Sequence, residues 1–154
     1  MRQVLSEQAS GAWVGLLKAH SSLTRELNAQ LVTAHGLTIN DYEVLLRLAR
    51  AEGRRMRRVD LAEQVMLTPS GITRLLDGLE QFGYVERAAC ASDRRVTYAV
   101  LTDPGLAKLQ EASETHLADV QTALESRLSP EELETLGALL DRLHGDSESA
   151  SCSP

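Results

Sequence analysis

Eight arginines fall between residues 54 and 98, at 54, 55, 57, 58, 74, 87, 94 and 95, against six acids at 60, 63, 77, 80, 86 and 93. That segment therefore carries +2, while the remainder carries −8 and the whole chain −6. A guanidinium is a planar, permanently charged fork that matches phosphate oxygens and the O6/N7 edge of guanine. Three groups stand out. The first is the run Arg54-Arg55-Met56-Arg57-Arg58. The second is Thr68, Ser70, Thr73 and Arg74, clustered where Thr68-Pro69 can open a helix, and the third is Asp93-Arg94-Arg95. Short hydroxyls and an arginine at a helix N-terminus can meet base edges, and the free amides there can hold a phosphate. These groups would equip a surface for a polyanion, with acidic flanks keeping the rest of the chain away from it.

The elements that position these residues are read from apolar periodicity. Residues 13, 16, 17, 20, 23, 27 and 31 share one helical face, and this first helix ends at His35-Gly36. Thr38 and Asp41 make a capping box for a second helix, whose buried face is Tyr42, Leu45, Leu46 and Ala49 and which runs out at Ala51-Glu52-Gly53. The arginine run is then a connector, and Asp60 opens a short third helix with Leu61, Ala62 and Val65 apolar. Thr68 caps a fourth helix with Pro69 in its first position, faced by Ile72, Leu75, Leu76 and Leu79 and closed by Phe82-Gly83. Two short helices across a tight turn predict a helix-turn-helix.

After Gly83 the period changes to two. Tyr84-Val85-Glu86-Arg87 and Val96 to Leu101 predict a β-hairpin wing, with the polar stretch 91–95 as its turn. Thr102 and Pro104 start a long helix with a stripe at Leu106, Leu109, Ser113, His116, Val120, Leu124 and Leu128. Ser129-Pro130-Glu131-Glu132 opens the last helix, with Leu133, Leu136, Leu140 and Leu143 on its inner face. The fold class expected is mainly α with a small β-hairpin wing. The expected divisions are an N-terminal helix over 1–36, a winged helix-turn-helix lobe over 37–102, two helices over 103–144 and a disordered tail over 145–154.

Composition narrows the function. Hydrophobic residues make up 43% of the chain but aromatics only 3%, so the core must be built from Leu, Val, Ile and Ala. The first residues lack the apolar run of a signal peptide and no stretch is apolar enough to span a bilayer, which predicts a cytoplasmic protein without membrane partners. Cys90 and Cys152 are not spaced as a redox pair or zinc site, so neither disulfide nor metal is expected. Cys90, flanked by Ala88, Ala89 and Ala91, lacks a cationic neighbour in sequence to activate its thiol and reads as functionally silent. No nucleophile–base pair, carboxylate pair or phosphate loop occurs at usable spacing, which argues against an enzyme and against a cofactor.

Over residues 10–144 the order of elements resembles the MarR family. The likeness is carried by Leu37-Thr38 and Tyr42, Asp60-Leu61-Ala62, the stretch Thr68 to Leu79, and above all the wing. The wing reads Phe82-Gly83-Tyr84-Val85-Glu86-Arg87, Asp93-Arg94-Arg95, then Val100-Leu101-Thr102 and Gly105. The resemblance implies a dimeric regulator of transcription, a repressor of a pseudo-palindromic operator, bound to double-stranded DNA and released by a small aromatic or anionic effector. It assigns Arg95 to insertion in the minor groove, Asp93 to orienting that guanidinium, and Arg94 to a phosphate. In the thiol-sensing branch of the family a cysteine in the first helix faces tyrosines, and this first helix has none.

Each site residue has a plainer reading. Thr68 either caps its helix, touches DNA or does both, while Ser70, Thr73 and Arg74 are the remaining major-groove candidates, with Arg74 on a guanine or a phosphate. Arg57 and Arg58 either neutralise phosphates or are solvated. His20, Tyr42 and His116, with His35, are candidates for an effector site, or satisfied core residues. The terminal helices either interlock two subunits or form a monomeric bundle. The alternative to sequence-specific reading is a winged-helix module for protein interaction.

Overall fold

The computed structural model describes residues 5–144, which divide into two compact units, one ending at Leu117 and the other beginning at Ala118. The expected tail over 145–154, with Cys152, lies outside the described residues.

The first unit begins with α1 (Glu7–His35), capped by the Ser6 hydroxyl, which accepts from the Ala9 amide at 3.1 Å. Gly36 ends it at φ 68°, the left-handed conformation that costs glycine least. Thr38 and Asp41 then cap α2 (Ile39–Arg50) reciprocally: the Asp41 amide donates to Thr38 Oγ1 at 3.1 Å and the Thr38 amide to Asp41 Oδ2 at 2.8 Å. Asn28 Oδ1 on α1 accepts from the Ile39 amide at 3.0 Å and ties the two helices. The buried face of α2 is wider than expected. Val44 and Leu48 are fully buried alongside Tyr42 and Leu45, whereas Leu46 and Ala49 are half-buried. The helix touches α1, the helix-turn-helix and the sheet, so more than one stripe meets apolar surface.

A 3₁₀ turn (Glu52–Arg54) leads into β1 (Arg55–Arg57) and α3 (Arg58–Gln64). The arginine run is therefore not a simple connector: its middle three residues form an edge strand. One alternation, Arg-Met-Arg, is too short to show a period, and pairing to a neighbouring strand decides the conformation. Asp60 does not open α3 but lies in its first turn, and Arg57 holds the N-cap position without its side chain capping the helix. Between α3 and α4 (Pro69–Gln81), Met66 takes φ 56° and the Leu67 amide donates to Ala62 O at 2.9 Å. Ile72, Leu76 and Leu79 bury one face of α4, each worth about 1.5–3 kcal/mol of transfer free energy.

The sheet is antiparallel in the order β1, β3 (Thr97–Leu101), β2 (Val85–Ala89). The strand expected from Tyr84 starts one residue later and runs on to Ala89. Met56 stands opposite Ala99 and Arg57 opposite Tyr98, while Val85 pairs with Leu101 and Ala88 with Tyr98. The inner face enters the core through Val85, Ala99 and Leu101, all buried. α5 (Asp103–Glu125) follows at once, with the Gly105 amide donating to Thr102 Oγ1 at 3.0 Å as the cap.

The second unit holds the end of α5 and α6 (Pro130–His144). The α5 stripe expected to reach Leu128 outruns the helix, which stops at Glu125. At the start of α6 the Ser129 amide donates to Glu132 Oε2 at 2.9 Å and the Glu132 amide to Ser129 Oγ at 3.3 Å, the expected capping box. Leu136 and Leu143, expected to face inward, are exposed in the single chain, as is Leu139.

Gly105 tests this packing. A Cβ there would stand 2.1 Å from Tyr84 O and 2.8 Å from Leu101 Cδ1. The Tyr84 carbonyl also accepts from the Thr102 amide at 3.1 Å and cannot yield without opening the base of the wing. Gly105→Ala should cost about 2–3 kcal/mol, a fall of about 5–10 °C in Tm by calorimetry. Gly78→Ala, whose Cβ meets nothing within 4 Å, should be neutral or stabilising by up to about 1 kcal/mol. Equal effects of the two changes would disprove the close approach.

Candidate nucleic-acid interface

At the N-terminus of α4 the Thr68 hydroxyl accepts from the Gly71 amide at 3.1 Å and lies 3.3 Å from Ser70 Oγ. Thr68 is thus a cap, and it remains exposed. Ser70 is exposed beside it, and Arg74, one turn on, is exposed and makes no ion pair among the described residues. Thr73 is more constrained, because its hydroxyl donates to Pro69 O at 2.8 Å and leaves only lone pairs to offer a partner. Four residues chosen from sequence therefore share one helix end whose amides carry the positive end of the helix dipole.

The eight arginines divide into paired and unpaired. Arg87 reaches from β2 to α4, donating from Nε to Glu80 Oε1 at 2.6 Å and from Nη2 to Asp77 Oδ1. Glu80 foremost, opposed by slight burial and supported by Asp77, holds its pKa above the ordinary arginine value. Arg54 is paired to Asp103 at 3.0 Å. Arg87 thus has both arms of its fork engaged, while Arg54 shares its charge with one carboxylate oxygen. Arg55, Arg57, Arg58, Arg74, Arg94 and Arg95 form no ion pair among the described residues. Arg57 and Tyr98 are cross-strand neighbours, and the Tyr98 hydroxyl raises the Arg57 pKa above its usual value. Arg55 lies over the same ring, 5.0 Å from its centroid, so one tyrosine organises two arginines. The sequence offers Arg55 only as one member of the arginine run and does not point to Tyr98. The register of β1 on β3, which places 55, 57, 98 and 100 on one face, is the signal that reveals them.

At the tip, Asp93 Oδ1 accepts from the backbone amide of Arg95 at 2.9 Å. The expected pairing was with the guanidinium. Asp93 instead fixes the chain that carries Arg95, an Asx turn stabilised further by the Val96 amide donating to Asp93 O at 3.1 Å. Arg94 and Arg95 are both exposed. Cys90 lies at the foot of this turn, its Sγ 3.2 Å from Ser92 Oγ. That hydroxyl and the amides of Ser92 and Asp93 lower its pKa.

The candidates for a second site are only partly brought together. Tyr42 on α2 and His116 on α5 are both buried, their ring centroids 4.5 Å apart at 58°. Ser113 Oγ donates to Leu109 O at 2.7 Å, so the Tyr42 hydroxyl, 3.1 Å away, donates to Ser113. His35 at the end of α1 sits one residue along α5, with Nε2 2.5 Å from Thr115 Oγ1 and Nδ1 3.4 Å from Glu111 Oε1. His20 is exposed on α1, fifteen residues and about 22 Å of helix rise from His35, and does not join them. Among the described residues no group of His, Cys, Asp and Glu could hold a metal, and no helix is long and apolar enough to cross a membrane.

A helix-turn-helix packed on a three-stranded antiparallel wing, with unpaired arginines around its second helix and hairpin, defines a winged helix-turn-helix, DNA-binding regulator of transcription. The MarR family model matches residues 37–97, from the Leu37-Thr38 cap to the start of β3. Among solved structures, AbsC, a MarR family transcriptional regulator from Streptomyces coelicolor, is 35% identical, covering 93% of this chain and 96% of that one, with a TM-score of 0.80. Sco3205, a MarR family regulator from the same organism solved in complex with DNA, is 28% identical over 99% of this chain and 96% of its own, with a TM-score of 0.84. The HTH-type transcriptional repressor YetL of Bacillus subtilis is 31% identical over 111 residues, 70% of this chain and 66% of YetL. The chain belongs to the MarR family, whose members are regulators and not enzymes.

The Asx turn makes a direct prediction. Asp93→Asn keeps an oxygen acceptor and should preserve hydrogen-exchange protection of the Arg95 amide, whereas Asp93→Ala should abolish it. If Asn exposes the amide as fully as Ala, the carboxylate acts through charge on a guanidinium instead.

Proposed function

We propose that the protein is a dimeric repressor that reads a pseudo-palindromic operator. The observation that carries this is the set of six arginines without ion pairs, on β1, α3, α4 and the wing tip, in a chain whose net charge is −6. Cations clustered on the helix-turn-helix and wing without carboxylate partners, in a chain otherwise acidic, leave their charge available to an external anion. In this reading Thr68, Ser70, Thr73 and Arg74 enter the major groove, with Thr73 as an acceptor. Arg95 enters the adjacent minor groove on the turn built by Asp93, and Arg57, Arg58 and Arg94 bind phosphates. YetL, a repressor, supports the sign of regulation, and the DNA-bound Sco3205 supports the ligand.

Dimerisation is supported by apolar surface that the single chain leaves open. Trp13, Val14, Leu16 and Leu17 are exposed on α1, and Leu136, Leu139 and Leu143 on α6. Isolated exposed leucines are ordinary, but consecutive turns of them are not. The segments 1–36 and 103–144 would supply the dimer contacts and 37–102 the DNA-binding lobe. Two-fold symmetry would set the recognition helices about 34–36 Å apart, in successive major grooves. Tyr42 and His116 link the helix-turn-helix lobe to α5, and a small aromatic or anionic effector that parts these rings would release the DNA. A thermal-shift screen of metabolites against wild type and Tyr42→Phe tests that step.

Light scattering should give twice the 16.8 kDa chain mass. A monomer at micromolar concentration would contradict the symmetric reading. On DNA from its own upstream region, Arg57→Ala should weaken specific and random binding alike and shallow the salt slope by about one unit. Arg74→Ala should cost about 1–3 kcal/mol on the operator and little on random duplex. Arg95→Ala should hurt most where the contacted minor groove is narrow and rich in A·T. Identical, purely salt-dependent losses in all three would leave a nonspecific basic surface or a protein-interaction module in place of a reading head.

A further inference from the structure

We propose that Arg87 is a positioning residue: with Asp77 and Glu80 it forms a strut that sets the angle of the wing to the recognition helix, so that both grooves are met at once. This rests on the DNA reading proposed above. Asp77 and Glu80 are three residues apart and so share one face of α4, the face turned to β2. The hairpin leaves α4 through a turn closed by the Gly83 amide on Glu80 O at 2.9 Å and the Tyr84 amide on Leu79 O at 3.0 Å. Val85 is the last residue of β2 in the core, and beyond it Ala88 and Ala89 offer only methyl groups. Outward of Val85, the polar tie from β2 to α4 among the described residues is Arg87. From Tyr84 to the end of the strand is a lever of about 17 Å at ~3.3 Å per residue, so a tilt of about 10° moves its end by about 3 Å. A minor groove is about 6 Å wide, and such a tilt would take Arg95 out of register while α4 stayed seated.

The arrangement also explains why two acids sit on a helix that must approach phosphate. They face the wing, where the Arg87 guanidinium neutralises them, and Arg87 in turn is not available to DNA.

The test is a double-mutant cycle read by fluorescence anisotropy on the upstream duplex and a random duplex of equal length, across several salt concentrations. Arg87→Gln should weaken operator binding about tenfold, the scale of coupling within one network. Random binding and the salt slope should not change. In an Arg95→Ala background the same change should cost less than about twofold, because the strut acts through the tip. Asp77→Asn with Glu80→Gln should also weaken operator binding, although removing two negative charges would by electrostatics alone tighten it. Equal losses in both backgrounds, a slope shallower by about one unit, or tighter binding by the acid variant would each overturn the strut. If the wild type binds neither duplex, the DNA reading fails, and the strut is judged on the free protein. There, Arg87→Gln should change the residual dipolar couplings of hairpin amides relative to α4, and unchanged couplings overturn it.

Discussion

Four backbone groups meet where the wing closes at its base. The Thr102 hydroxyl donates to Gly83 O at 2.7 Å and accepts from the Gly105 amide at 3.0 Å, while the Thr102 amide donates to Tyr84 O at 3.1 Å. One threonine thus joins the exit of α4, the entry to β2, the end of β3 and the first turn of α5. The junction is tight enough that Gly105 has no room for a Cβ. Gly83 itself sits at φ 75°, where a side chain would be strained. Since the hairpin and the helix that follows both start here, these bonds and the core beneath them fix the point from which the wing and α5 leave α4.

Charge is distributed on that frame by a simple rule. Arginines that hold the fold together are paired with carboxylates, as Arg87 is with Asp77 and Glu80 and Arg54 with Asp103. The arginines proposed above to meet an anion are not. Tyr98 gives two of the latter a defined orientation without neutralising them, through its ring for Arg55 and its hydroxyl for Arg57. A neutral partner can organise a cation while leaving its charge intact for phosphate, which a carboxylate cannot do. Asp93 fits the same logic, because its carboxylate is engaged with a backbone amide and not with a guanidinium.

Polar groups on α5 also link it to α1 and α2, through partly buried contacts at Tyr42 and exposed partners at His35. Tyr42 meets His116 and Ser113 on α5, and His35 meets Thr115 and Glu111 one turn away. Buried polar groups must keep partners, so movement of α5 against α2 would have to exchange these bonds and not merely slide apolar surface. The core of the lobe, by contrast, is leucine, valine and alanine, as the low aromatic content required.

The sequence by itself determined what depends on local rules. Caps at Thr38, Thr68, Thr102 and Ser129, the glycine at 36 and the switch from helical to strand period after Gly83 concern residues within four or five positions of each other. They placed the helix-turn-helix, the wing and the hydroxyl cluster of α4 correctly. Pairings between distant segments were decided by the tertiary structure alone. β1 is a strand only because β3 lies beside it, and Tyr98 becomes an organising residue only through that register. Arg87 and Arg74 look alike in the chain, yet one is neutralised by two acids and the other left free. The physical reason is the range of the interactions: capping and periodicity are settled within a helical turn, whereas the charge an arginine can offer depends on which carboxylate the fold brings to it.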